Sequence, residues 1–164
     1  MKTSLNRTFI NGIQLPTVRN IEEAIEHGAD FKAVLTAGPA ACEVDIAHPN
    51  HRVWEFDDSP IAAYAASRRQ VEEMITWGCE QSDLLVHCHA GMSRSTAVAW
   101  GVAMARGISP TAALAALHDA HPVESYGEKR LFIPNVVIVQ YLEDLLDQPG
   151  LRELRDDVVG SGGW

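Results

Sequence analysis

The run Asp83-Leu84-Leu85-Val86-His87 places the strongest constraint on the fold, because its three middle residues are all apolar. A strand that is half exposed alternates apolar and polar residues, whereas an unbroken apolar run is typical of a strand buried on both faces. A short loop follows the run, and then an alanine-rich segment, residues 95–105, that favours a helix. A strand covered on both faces and followed by a helix predicts a mostly parallel sheet flanked by helices.

The rest of the chain alternates in the same way. Ser59 as an N-cap, with Pro60 at the first helical position, is a strong signal for the start of a helix. Strands are predicted at residues 31–36 and 52–56, and further helices at residues 20–28, 59–81, 109–120 and 133–147. A chain of 164 residues fits one domain. We therefore expect a single α/β domain over residues 1–159 and a flexible glycine-rich tail over residues 160–164.

Charge and composition exclude several classes of function. Thirteen basic residues against 22 acidic ones give a net charge of −9, which argues against a nucleic-acid partner. No segment approaches the ~20 consecutive apolar residues of a membrane span, and the first seven residues lack the apolar core of a signal peptide. The three cysteines include no close pair, which is typical neither of a disulfide framework nor of a zinc site. The expectation is a reduced, cytoplasmic protein without a membrane partner.

The segment between the buried strand and the next helix carries the chemistry. Cys88 stands at the end of the strand, and Arg94 follows six residues later at the start of the helix. Small residues between them allow the loop to turn its main-chain N–H groups inward and form an anion-binding nest. Arg94 would close this nest with a planar group suited to two phosphate oxygens. The same positive field stabilises a thiolate, so the pattern predicts phosphoryl transfer through a phosphocysteine at Cys88.

The motif His-Cys-x5-Arg-Ser resembles the signature of the cysteine-dependent protein tyrosine phosphatases, and the sequence from His87 to Ser95 resembles their compact dual-specificity branch. The resemblance implies the fold of this branch, and it implies a hydrolase that uses no cofactor and no metal. It implies catalytic roles for Cys88, Arg94 and Ser95, whose hydroxyl helps the thiolate to leave, and a supporting role for His87. The implied partner is a phosphotyrosine-containing protein or peptide, and a phosphate or sulfate ion would occupy the loop. The residues implied to bind the phosphate are His89, Ala90, Gly91, Met92, Ser93 and Arg94.

A phosphatase of this kind also needs a general acid, because an alkoxide or phenolate leaves poorly without a proton. Asp57 and Asp58 lie about thirty residues before Cys88, the position from which the family takes this acid. The stretch from Trp54 to Pro60 resembles the acid loop of the phosphatases of regenerating liver, in which the second aspartate is the acid. The resemblance therefore favours Asp58 as the acid and leaves Asp57 to orient the loop.

A further short motif, Ile133-Pro134-Asn135, resembles the Pro-Asn that opens the last helix in dual-specificity phosphatases. The residues after it depart from the family pattern, because Ile138 stands where the family has phenylalanine and Tyr141 separates Gln140 from Leu142. A role for Asn135 in bracing the active loop stays open.

Three other functions fit parts of the pattern. A phosphoinositide or small-molecule phosphatase would share the fold, although lipid-directed relatives usually carry lysines in the loop, where this chain has His89 and Met92. A rhodanese-type sulfurtransferase has a shorter loop and no upstream acid. A phosphate-binding pseudophosphatase would capture phosphotyrosine without turnover, but Cys88, Arg94 and Ser95 are all present. The sequence leaves open whether the specificity is for tyrosine alone or dual.

Overall fold

The computed structural model describes residues 5–38 and 46–160. Within these residues the strands are β1 (Phe9–Ile10), β2 (Ile13–Gln14), β3 (Thr17–Arg19), β4 (Ala33–Gly38), β5 (His51–Glu55) and β6 (Leu84–His87). Four of them form a parallel sheet in the order β3-β6-β4-β5, and β1 and β2 form a separate antiparallel hairpin. The prediction of an α/β domain with a mostly parallel sheet is confirmed. The predicted tail lies outside the described residues, apart from Gly160.

Helices cover both faces of the sheet. They are α1 (Ile21–His27), α2 (Arg68–Glu80), α3 (Arg94–Ala105), α4 (Pro110–Asp119), α5 (Val136–Leu145) and α6 (Leu151–Val159). The central strand β6 is buried along its whole length, as its sequence predicts. Leu85 packs with Ala24 of α1 on one face, whereas Leu84 and Val86 belong to the larger core on the other face. Within the described residues, no helix is both long enough and apolar enough to cross a membrane.

Helix α3 begins where the predicted active loop ends and lies in the middle of the larger core. Every residue from Ser95 to Met104 is buried, because α2, α4 and α5 pack around the helix. Its alanines and Gly101 allow this close packing, since a Cβ at Gly101 would lie 2.5 Å from a side-chain carbon of Ile75. The helix therefore holds the end of the loop on a rigid support.

The prediction of a helix start at Ser59 and Pro60 is wrong. Helix α2 begins at Arg68, where the Ser67 side chain accepts from the Gln70 main chain and the Gln70 side chain accepts from Ser67 N. This reciprocal capping satisfies two main-chain donors at once and so fixes the start of the helix there. The residues between β5 and Ser67 form a loop, in which Ser59 Oγ accepts a local hydrogen bond from Ile61 N.

Sequence periodicity missed the shortest strands and the last helix. Strands β1, β2 and β3 have only two or three residues each, too few to show an alternating pattern. Helix α6 follows Gly150, which has a φ of +88° that favours glycine, and it is fastened to the core by buried Arg155. The Nε of Arg155 donates to the Pro134 carbonyl oxygen at 2.6 Å, so the last helix supports the segment that leads into α5.

Candidate active site

Cys88 lies directly after β6, at the bottom of the loop that leads to α3. Its side chain is buried, with 2% of the residue exposed. Gly91 N donates to Sγ at 3.2 Å, and Ser95 Oγ lies 3.1 Å from Sγ on the first turn of α3. Donors from a main-chain amide and from a hydroxyl stabilise negative charge on sulfur, and the start of a helix adds to that effect. The structure therefore places both groups against the sulfur that the sequence predicts to be the nucleophile.

The path of the loop is fixed from the side of α1. Gly91 has a φ of +69°, and a Cβ there would lie 2.8 Å from the main chain of Arg19 and Asn20. Any other residue would be strained by the left-handed conformation, and its Cβ would clash with this main chain. Ile21 N, at the beginning of α1, donates to the carbonyl oxygen of His89 at 3.0 Å. The loop is thus anchored against the junction of β3 and α1.

The guanidinium of Arg94 lies over the end of β4. A Cβ at Gly38 would come within 2.6 Å of Arg94 Cδ, so only glycine leaves room for the arginine side chain. Nη1 donates to the carbonyl oxygen of Phe56 at 3.0 Å. Nε is buried and has no hydrogen-bond partner among the described residues. An unpaired buried donor on a cation is costly, and an oxyanion that accepted from it would remove that cost.

Asp58 is connected to the loop by two hydrogen bonds. Its Oδ1 accepts from Ser93 Oγ at 2.7 Å and from Asn135 Nδ2 at 3.0 Å. Asn135 also holds the acid loop through the Ser59 carbonyl oxygen, at 3.1 Å, and its own main-chain N donates to the Ser93 carbonyl oxygen at 3.1 Å. The structure thus brings Asp58 to the edge of the loop and gives Asn135 the bracing position that its sequence context left open.

Asp57 is held in the loop after β5 through its main chain. Its main-chain N donates to the Tyr64 carbonyl oxygen at 3.2 Å, which closes the turn after Asp58. Asp57 and Asp58 are both exposed, as are the apolar side chains of Ile61 and Tyr64 on the same loop. The residues after the acid pair therefore present an apolar surface to solvent.

His87 is fully buried beneath the loop. Its Nδ1 lies 3.1 Å from the Cys88 carbonyl oxygen, and its Nε2 lies 2.6 Å from Thr36 Oγ1 on the neighbouring strand β4. Burial, assisted by the nearby His51 ring, lowers the pKa of His87 to about 4, although the bond to Cys88 opposes this shift. The ring is therefore uncharged at neutral pH. A carbonyl oxygen can only accept, so Nδ1 carries the hydrogen and Nε2 accepts from Thr36.

The remaining loop residues line its rim. His89 is exposed, Ala90 and Met92 are half-buried, and the Met92 carbonyl oxygen accepts from Thr96 Oγ1 at 2.8 Å and from Ile133 N at 2.9 Å. Sequence reasoning missed Gly38 and Thr36 as parts of the site. The sequence predicts Gly38 as the end of a strand and Thr36 as an ordinary strand residue. Neither position has a sequence feature that indicates a contact with the loop.

Comparisons with proteins of known structure identify the fold. No protein-family model matches the sequence, and no curated protein matches it. Solved structures do match. The Cydia pomonella PTP-2 phosphatase aligns with a TM-score of 0.58 at 20% identity over 85% of this chain and 89% of that one. Human DUSP28 aligns with a TM-score of 0.58 at 19% identity over 85% and 92%.

The same fold also occurs in a human tyrosine phosphatase-like serine/threonine/tyrosine-interacting protein. It aligns with a TM-score of 0.55 at 17% identity, over 86% of this chain and 95% of that one. The protein therefore has the fold of the compact dual-specificity phosphatases. At these identities the likeness concerns the fold, and the residues of the site carry the argument about function.

Proposed function

We propose that the protein is a cysteine-dependent phosphatase that hydrolyses phosphate monoesters on protein tyrosine. The observation that carries the proposal is the joint position of Cys88 and Arg94. The buried sulfur accepts from Gly91 N, and the loop above it ends in a guanidinium whose buried Nε has no partner among the described residues. A buried nucleophile and an unpaired cationic donor at the two ends of one short loop fit a phosphate group better than a carbonyl or a sulfane substrate.

In the first step the Cys88 thiolate attacks phosphorus. The S–P bond forms while the bond from phosphorus to the leaving oxygen breaks, and Asp58 gives its proton to that oxygen. The loop N–H groups and Arg94 stabilise the charge on the equatorial oxygens. The products of this step are the free tyrosine hydroxyl and a phosphocysteine.

In the second step water attacks the phosphocysteine. Asp58, now a carboxylate, takes a proton from the water, and the S–P bond breaks to release inorganic phosphate and the thiolate. Ser95 Oγ, 3.1 Å from Sγ, can donate to the sulfur as its negative charge returns. Neither step calls for a metal ion or a cofactor. We expect the enzyme to act in the cytoplasm, where reducing conditions keep Cys88 as a thiol.

A phosphoinositide phosphatase is the second candidate, and the surface chemistry disfavours it. The loop carries His89 and Met92 at its rim and no lysine, and the chain has a net charge of −9. Attraction to an anionic membrane needs a cluster of basic residues. The exposed side chains of Ile61 and Tyr64 on the acid loop fit the apolar flank of a peptide better than a lipid headgroup.

A turnover assay distinguishes an active phosphatase from a protein that only binds phosphotyrosine. We would measure kcat/KM on a phosphotyrosine peptide, a soluble phosphoinositide headgroup and p-nitrophenyl phosphate, for the wild type, Cys88→Ser and the control Cys79→Ser. Cys79 is a free cysteine on α2, so its replacement tests general damage. We expect hydrolysis that prefers the peptide, and its loss in Cys88→Ser alone, because a serine hydroxyl is a poor nucleophile at neutral pH. Phosphopeptide binding without turnover in the wild type would instead establish a pseudophosphatase.

A further inference from the structure

A closed ring of three hydrogen bonds connects the acid loop, the cysteine loop and the start of α5. Ser93 Oγ lies 2.7 Å from Asp58 Oδ1, and Asn135 Nδ2 lies 3.0 Å from the same oxygen. The ring closes through the main chain, because Asn135 N donates to the Ser93 carbonyl oxygen at 3.1 Å. In the described parts of the chain, residues 5–38 and 46–160, no hydrogen bond to Asp58 Oδ2 is seen. One carboxyl oxygen is therefore held twice, and the other is left for the reaction.

The side-chain amide of Asn135 can be oriented in only one way. Its Oδ1 accepts from Val137 N and Ile138 N at the start of α5, both at 3.1 Å. Its Nδ2 also donates to the Ser59 carbonyl oxygen, which can only accept. Nδ2 therefore donates to Asp58 Oδ1 whether or not the acid carries its proton.

The Ser93 hydroxyl also donates to Asp58. Ser93 is buried, with 8% of the residue exposed, and Asp58 Oδ1 is the sole acceptor seen for its hydroxyl hydrogen among the described residues. If Oδ1 carried the proton of the acid and donated it to Ser93, the buried serine hydrogen would lose its acceptor, which is costly. With two donors on Oδ1, the proton of the neutral acid is therefore more stable on Oδ2.

We propose that Ser93 is a positioning residue for the general acid: its hydroxyl holds Oδ1 of Asp58 against the cysteine loop, so that Oδ2 carries the proton for the leaving oxygen. The inference rests on the proposed function, in which Asp58 is that acid. The bond from Asn135 alone would let the carboxyl group turn about a single contact, and it would leave a position on Oδ1 open to the proton. The bond from Ser93, the neighbour of Arg94 in the chain, removes both freedoms.

The chain offers a matched pair of serine variants. Ser93→Ala removes the hydroxyl and keeps the main-chain N–H of the cysteine loop. Ser59→Ala is the same change on the acid loop, where Ser59 Oγ accepts from Ile61 N, and it keeps the carbonyl oxygen that binds Asn135. Asp58→Asn removes the acid, and the double variant Ser93→Ala/Asp58→Asn shows whether the two side chains act together.

Two substrates with different leaving groups separate the positioning of the acid from general damage. Tyrosine is the more basic leaving group and needs the proton, whereas p-nitrophenolate leaves readily without it. We would measure kcat/KM, because it reports the step in which the leaving group departs, and vanadate affinity, because it reports the cysteine loop.

In Ser93→Ala, kcat/KM on a phosphotyrosine peptide should fall about 3- to 30-fold further than kcat/KM on p-nitrophenyl phosphate, the effect of one hydrogen bond. Vanadate affinity should stay close to that of the wild type. Ser59→Ala should keep the wild-type ratio of the two kcat/KM values. In the Asp58→Asn background, Ser93→Ala should leave the ratio unchanged, because no acid remains to be positioned.

The inference is overturned if Ser93→Ala lowers both activities equally or weakens vanadate binding, because the hydroxyl would then shape the cysteine loop rather than hold the acid. A further change of the ratio in the Asp58→Asn background would overturn it as well. A wild-type protein that hydrolyses neither ester would contradict the proposed function and this inference with it. An active wild type whose ratio is unchanged in Ser93→Ala would contradict this inference alone.

Discussion

Gly38 offers a sharp test of the site, because the side chain of Arg94 lies directly against it. A Cβ at this position would lie 2.3 Å from Nη1 and 2.7 Å from Cζ of Arg94. An arginine side chain has several rotatable bonds, so in Gly38→Ala it should move aside, and the contact with the new Cβ should itself cost little stability. Its guanidinium would then leave the position over β4 from which it donates to the Phe56 carbonyl oxygen.

The size of the effect follows from the bonds that the displaced arginine would no longer make. Hydrogen bonds to a charged group contribute about 1.5–3 kcal/mol each, which corresponds to a loss of roughly 10- to 150-fold in kcat/KM for one bond to phosphate. Gly38 has a φ of +114°, so alanine there also strains the main chain by about 1–2 kcal/mol.

Gly107→Ala is the matched control, because Gly107 has a φ of +97° and a Cβ there would meet nothing within 4 Å. We would compare the thermal unfolding, the kcat/KM on p-nitrophenyl phosphate and the vanadate affinity of the two variants. Both should lose similar stability, and only Gly38→Ala should lose activity and vanadate binding. Equal activity in the two folded variants would refute the position assigned to Arg94.

Four further outcomes are expected. Asp58→Asn should lower kcat on a phosphotyrosine peptide by about 10²- to 10⁴-fold and flatten the basic limb of the pH–rate profile, whereas Asp57→Asn should keep that limb; the reverse result would exchange their roles. Arg94→Lys should be severely impaired, since a point charge cannot replace a planar fork, and near-normal kcat/KM would contradict the loop geometry. Vanadate should compete with substrate, and EDTA should have no effect; activity that zinc or magnesium restores would point to a metal enzyme. The free energy of unfolding should fall as the pH drops from 6.5 to 4, by roughly 3 kcal/mol for each of His87 and His121. Burial lowers the pKa of both rings to about 4 in the folded protein, so the unfolded chain takes up these protons at a higher pH. A free energy of unfolding that stays constant over that range would contradict the prediction.

The parts of this protein that the sequence predicts well are those set by local patterns. The apolar run at β6 indicates a central strand, and the distance from Cys88 to Arg94 places both at one loop, because strand, loop and helix are continuous in the chain. The capping box of α1 is equally local: Asn20 and Glu23 satisfy each other's main-chain donors, as expected for an Asn N-cap.

Contacts between distant segments are the parts that the sequence does not predict. Gly38 makes room for Arg94 although 56 positions separate the two residues, and no periodicity relates them. Thr36 and His51 lie close to His87 because β4 lies between β5 and β6 in the sheet. The sequence of a single strand does not reveal which strands will be its neighbours. The same holds for Arg130, a loop residue by composition that is buried between Glu23 and Glu124.

The wrong helix start at Ser59 shows how such a distant contact overrides a local signal. In a helix that began there, the Ser59 carbonyl oxygen would accept from the main chain four residues later. In the structure it accepts instead from Asn135 Nδ2, which also binds Asp58 Oδ1. As an N-cap, the Ser59 side chain would accept one hydrogen bond from the main chain of the helix. The observed loop instead forms hydrogen bonds with both Asn135 and Ser93. The residue that prevents a helix at Ser59 is therefore the same residue that holds Asp58 at the cysteine loop.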